Sequence, residues 1–124
     1  MANPNIVSVA SIYGKTVYDT DIATSAASLV SNAASSGKIL KINSLIIANI
    51  DGTDSTDITV TLRNAAGDTT HSTIANTVAV PADATLIVVS KDTSIYLEED
   101  MSLYVLASAA GDLSATCSYE EISE

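Results

Sequence analysis

The feature that most constrains this chain is its punctuation: short runs of Val, Ile, Leu and Thr recur at roughly ten-residue spacing, each cut off by Gly, Asp, Asn and Ser. Runs of that length and spacing specify strands of a sandwich or barrel. No stretch holds a 3.6-residue apolar period over three turns, and the Ala-rich piece from Ala23 to Ala34 is broken by Ser, Thr and Asn, so little helix is expected. With 124 residues there is room for one core. The expectation is a single all-β domain over residues 1–124, a β-sandwich of eight to ten short strands for which a jelly roll is one arrangement.

The runs can be placed in order. Ile6 to Ile12 reads as the first strand, with a break at Gly14-Lys15 before Thr16-Val17-Tyr18, and residues 1–9 read either as part of that strand or as an extended N-terminal arm. Ala26 to Ser31 follows, then a turn over Asn32 to Gly37. Lys38 to Ile50 is the longest apolar segment and reads as the central strand. Its alternation changes phase near Ser44, as a bulge or a switch between sheets would require. Ile58 to Arg63 alternates cleanly, while His71 to Ile74 and Thr77 to Val80 form two weaker runs around Asn76, closed by Pro81. Ala84 to Ser90 is near-continuously apolar, the pattern of a strand buried on both faces or passing under a partner. After a short run at Ile95 to Leu97, Met101 to Ser108 and Leu113 to Tyr119 read as a hairpin across Ala110-Gly111-Asp112.

Composition then narrows the function classes. Five basic residues stand against fifteen acidic ones, a formal net charge of −10, which excludes a nucleic-acid binder that works by neutralising phosphates. An anionic membrane surface is disfavoured for the same reason, and no apolar run approaches the roughly 20 residues of a spanning helix. No secretory signal is visible at Met1-Ala2-Asn3-Pro4. One cysteine, Cys117, excludes an internal disulfide and fits synthesis in a reducing compartment. Ala, Ser and Thr fill 49 of the 124 positions, with five Tyr and no Trp or Phe, so the core is built from small aliphatics.

Catalytic inventory is almost bare. A single histidine, His71, lies in a polar Thr-Thr-His-Ser run and reads as exposed, and Cys117 reads as a buried structural thiol. Zinc needs four Cys or His ligands, which one chain cannot supply from two. The candidate hard-cation ligands are Asp51, Asp54 and Asp57 in one loop and Glu98, Glu99 and Asp100 in one corner, but neither group has the spacing of an EF-hand loop. The favoured reading is a solvated turn for the corner and, for the Asp loop, a hairpin whose carboxylates cap backbone amides. Five glycines are dispersed one per turn with no phosphate-cradling motif, and no cofactor is implied.

Met1-Ala2-Asn3-Pro4-Asn5-Ile6-Val7, Ser35 to Leu45, Ala48 to Gly52, Leu97 to Leu103 and Ala107 to Ser123 together resemble small virion structural proteins of tailed bacteriophages, the marine and cyanobacterial phages above all. These motifs are structural, and the resemblance runs through nearly the whole chain. It implies a non-enzymatic β-rich building block of the virion, assembled in the host cytoplasm, with the major capsid protein or other virion proteins as partners. On that basis the first expectation is a capsid decoration or cement protein that docks on the outer shell as a homotrimer. A neck, baseplate or fibre adaptor is the second. From another class, a carbohydrate-binding sandwich would need a groove of clustered Tyr and carboxylates. The residues expected at an interface are Asn3, Pro4, Asn5 and Ile6 in the N-terminal segment, with Tyr13 and Tyr18 as amphipathic anchors.

Overall fold

Twelve residues in a row, Lys38–Asn49, form the strand around which the rest is arranged, and they do so because one residue is surplus to the ladder. Leu40 and Ile42 face inward on even positions; after Asn43 the inward residues are Leu45 and Ile47, on odd ones. The register against the neighbouring strand slips between Ile42 and Ser44, so Asn43 is the bulge that keeps one face of the strand apolar throughout. The phase change in the sequence thus marks a bulge within one sheet.

The computed structural model describes residues 3–124. Nine strands are present among them: β1 (Ser11–Asp19), β2 (Ala27–Asn32), β3 (Lys38–Asn49), β4 (Thr56–Arg63), β5 (Thr70–Val80), β6 (Thr85–Val89), β7 (Ile95–Leu97), β8 (Met101–Ala107) and β9 (Leu113–Ser123). One sheet runs β1-β9-β3-β6, with β7 also pairing β3; the other runs β2-β8-β4-β5. All pairings are antiparallel. If β6 and β7 are counted as one interrupted strand, the chain crosses between sheets at every step except the β4–β5 hairpin, which is jelly-roll topology. The fold expectation holds, with a single 3-10 turn at Lys91–Thr93 as the helical content of the described residues. Among the described residues no helix is long and apolar enough to cross a membrane.

The core lies between the sheets. Ile58, Val60, Leu103, Val105 and Ala107 from one side meet Ile42, Leu45, Ile47, Leu113, Ala115 and Cys117 from the other, all at most 2% exposed. Small and β-branched side chains let two sheets approach without aromatic filler. Two buried asparagines tie loops to this core. Asn32 Nδ2 donates to the carbonyls of Lys38 and Leu97, and Asn49 Nδ2 donates to those of Asp54 and Val80.

Four local expectations are corrected. Met101–Ala107 and Leu113–Ser123 do not pair: they are central strands of opposite sheets, and the turn at Gly111 carries the chain across the sandwich. Each gains two ladder partners that way, where a hairpin at an edge would have left one side open. Gly14 does not break a strand; it lies within β1 opposite Glu120, and that strand starts at Ser11 because Asn5 to Ser8 form a hydrogen-bonded turn. The two weak runs of residues 71–80 are one strand, with Thr77 at φ 47° where the register slips. Finally, the apolar run 84–90 is not buried on both faces within the chain: it contains an edge strand whose Ile87 points to solvent, because the face beyond it is uncovered.

Candidate interaction surface

The acidic candidates are scattered by the fold. Asp51 Oδ1 accepts from the Thr53 amide in its own turn, Asp54 lies in the same exposed loop, and Asp57 has joined β4, its amide donating to Ser108 Oγ. At the other corner Glu98 Oε1 accepts from Asn3 Nδ2 at 2.6 Å, and Asp100 Oδ1 accepts from the Ala65 amide. Both carboxylate oxygens of Glu99 are shut from solvent without a hydrogen-bond partner among the described residues. The three corner side chains therefore turn to three different surroundings. Among the described residues no three acidic, His or Cys side chains converge as metal ligands.

Cys117 is fully buried in β9, and burial pushes its thiol up to about 11. His71 is exposed on β5, the far edge of the other sheet, so the two do not form a nucleophile–base pair. No ligand-sized pocket opens among the described residues.

The residues expected at an interface divide into anchored and free. Met1 and Ala2, the start of the expected arm, lie outside the described residues. Asn3 holds Glu98 and accepts from the Glu99 amide, the Asn5 amide donates to Glu124 Oε1, and the Ala10 amide donates to the Ser123 carbonyl. Residues 3–5 are thus pinned across one end of the larger sheet, from β7 to β9. Pro4 is buried there. So are Ile39 and Ile122, at 7% and 5% exposure, although they occupy outward positions and stand apart from the main core cluster. Ile6 is half exposed and Val7 is 91% exposed. Tyr13 and Tyr18 are both exposed on β1 but on opposite faces, since their positions differ in parity.

Tyr18 belongs to a larger surface that sequence reasoning did not find. Register places Tyr18, Thr116, Ile46 and Ile87 in one row across the outer face of the larger sheet, and Gly14, Glu120, Lys41 and Tyr96 in another. Between them run Thr16, Ser118 and Ser44. Tyr18 is 70% and Ile87 61% exposed. Of fifteen acidic residues in the chain only Glu120 occupies an outward position in these strands, and Lys41 faces it. The ion pairs of the described residues are elsewhere: Glu121 receives Lys15 at 2.9 Å and Lys38 at 3.0 Å. Those hydrogen bonds, Lys15 first, hold the Glu121 carboxyl below its ordinary value. No signal in the linear sequence joins β1, β9, β3 and β6 into a row, because each pairing spans tens of residues.

No family model matches the sequence, and no curated protein matches it significantly. Among solved structures, a subunit of Bacillus endospore appendages, described as a novel family of disulfide-linked pili, superposes with a TM-score of 0.53 at 16% identity, over 91% of this chain and 88% of that one. The VP2 subviral particle of infectious bursal disease virus aligns with 94% of this chain but 34% of its own, with a TM-score of 0.48 at 14% identity. At such identities the pilus subunit shares this chain's fold, a sandwich that nature also uses as an assembly unit.

Proposed function

We propose that the protein is a non-enzymatic structural subunit of a virion, in first place a capsid decoration protein that docks on the outer shell and stabilises it. The observation that carries this reading is a sheet face that exposes Tyr18, Ile87 and Tyr96 on a nearly uncharged ground, in a sandwich that opens no pocket among the described residues. Such faces are made to be covered rather than to hold a small substrate. The resemblance of Met1 to Val7, Ser35 to Leu45, Ala48 to Gly52, Leu97 to Leu103 and Ala107 to Ser123 to small phage virion proteins supports the virion in particular, and the shared fold with a pilus subunit supports assembly in general.

A shell component gains its hold from many weak contacts repeated by symmetry. Its acidic remainder suits the outside of a particle, away from packaged nucleic acid. In the N-terminal segment, Ile6 and Val7 are the side chains left for a neighbour, while Asn3, Pro4 and Asn5 anchor the segment at home.

The test is the copy number of the chain in purified particles, by quantitative mass spectrometry against the major capsid protein. A decoration protein is present in hundreds of copies and a neck or baseplate adaptor in about a dozen. Absence from particles overturns the virion reading. The N-terminal contribution is checked by Val7→Ser, which should lower occupancy; cutting the chain before Ile6 is less clean, because it also removes the hydrogen bonds of Asn3 to Glu98 and of Asn5 to Glu124.

A further inference from the structure

We propose that the outer face of the larger sheet pairs with the same face of a second copy about a two-fold axis that runs along the strands between β9 and β3. This rests on the reading of the protein as an assembly subunit and names the first contact it makes. The argument comes from register. A two-fold axis in that place lays β9 over the partner's β3 and β1 over the partner's β6 and β7, at unchanged height along the strands. Lys41 then meets Glu120 of the second copy and Glu120 meets its Lys41, so the two charges on the face are complementary to themselves. In the same row Gly14 lies beneath Tyr96, a ring over a position without a side chain. In the other row Tyr18 meets Ile87 and Thr116 meets Ile46. Thr16, Ser118 and Ser44 between them are small enough for the sheets to close to the usual spacing of about 10 Å.

Charge selects the occupant. A chain at −10 repels its own copies over most of its surface, and a basic partner would be drawn to that surface, not to this one. The face instead carries one charge of each sign, neither engaged in an ion pair within 4 Å among the described residues. A patch four strands wide at about 4.8 Å and about seven residues long at about 3.3 Å covers roughly 450 Å², so a pair buries about 900 Å². That is near the lower limit for specific association, and the pair should form at micromolar to submillimolar concentration. Two-fold pairing also differs from the trimer that the sequence resemblance implies.

Sedimentation equilibrium of the full chain from micromolar to millimolar concentration is the test, with Lys41→Glu and Glu120→Lys as variants. The wild type should reach twice the chain mass. Each variant carries two like charges on its face and should dissociate at least about tenfold more readily. An equimolar mixture of the two variants should pair again, which a fold defect in either could not produce. A wild type that stays monomeric or forms trimers, variants that pair as well as the wild type, or a mixture that fails to recover overturns the proposal. If circular dichroism shows either charge variant unfolded, Ile87→Lys at an exposed position replaces it, and unchanged pairing of that variant overturns the proposal equally. Particle copy number is read separately, so a monomeric chain abundant on particles removes the pair and leaves the virion reading intact.

Discussion

β3 and β5 differ by one residue in length, 12 against 11, and both contain a bulge, yet they live in different environments. β3 is paired on both sides, and its inward residues Leu40, Ile42, Leu45 and Ile47 form the centre of the core. β5 is the outer edge of its sheet; apart from Ala75 and Val80 its residues are exposed. Both are rich in β-branched residues, so strand propensity does not separate them. Position in the sheet does. The edge strand keeps its side chains small and nearly uncharged, and it ends against the core at Val80.

The largest contrast should come from deletions that shift phase. Deleting Ile46 makes Leu45 and Ile47 consecutive, so one of these two core side chains must face outward whether or not the bulge at Asn43 is kept. No cooperative thermal transition should remain, and the chain should be recovered insoluble. Deleting Thr77 from a register slip in β5 rearranges an edge whose side chains face water, and a cooperative melt should survive. A folded Ile46 deletion would show that the register of β3 is not what holds the two sheets together.

Truncation inside a fixed register is the next size down. Leu45→Ala removes a fully buried side chain and should cost about 2–5 kcal/mol by denaturant titration. Ile74→Ala on β5 should stay within about 1 kcal/mol, since the side chain is already part exposed. Equal losses would mean that β5 is covered in solution, which is itself a measure of association through that edge.

How much of this was legible follows the same division. The alternation of Ile58 to Arg63 and the phase change near Ser44 were readable because burial of one face imposes a pattern on the residues themselves. β5 was read as two runs because an exposed edge imposes none. The hairpin assigned to Met101 to Tyr119 failed for a different reason: short loops favour hairpins, but both segments are wanted as central strands in opposite sheets, and only long-range pairing shows it. The candidate surface suffers most from this. Tyr18 was identifiable as an anchor, while Ile46, Ile87, Lys41 and Glu120 become neighbours only through four-strand register. The acidic groups, evident in sequence, turn out to serve separate turns.

Where the two strands meet, Asn49 at the end of β3 donates to the carbonyl of Val80 at the end of β5 and to that of Asp54. Asn49→Ala leaves two carbonyls without this donor in a buried place and should cost about 1–3 kcal/mol. Asn49→Asp should do no better, because a carboxylate cannot donate to a carbonyl. A loss much below this would mean that water reaches the junction and that β5 is docked more loosely than its ladder suggests.

The smallest effect concerns the opposite edge. β1, like β5, is an outer strand, but it is tethered by charge: Lys15 on β1 and Lys38 on β3 both bind Glu121 on β9. Those bonds lower the Glu121 pKa from its ordinary 4.5 and raise that of Lys15 from 10.5. A carboxyl with a depressed folded-state pKa adds stability above its unfolded value, and that stability is lost as the pH falls through the folded one. For the raised lysine the contribution is present below 10.5 and disappears as the pH rises through the folded value. Glu121→Gln should therefore lower Tm by at most a few degrees at neutral pH, because largely exposed lysines are screened by water. The difference from the wild type should vanish as both are titrated into acid below pH 4.5, and salt should shrink it at neutral pH. A difference that persists in acid would mean that Glu121 supports β1 through packing, which would make the two edges of the sandwich alike.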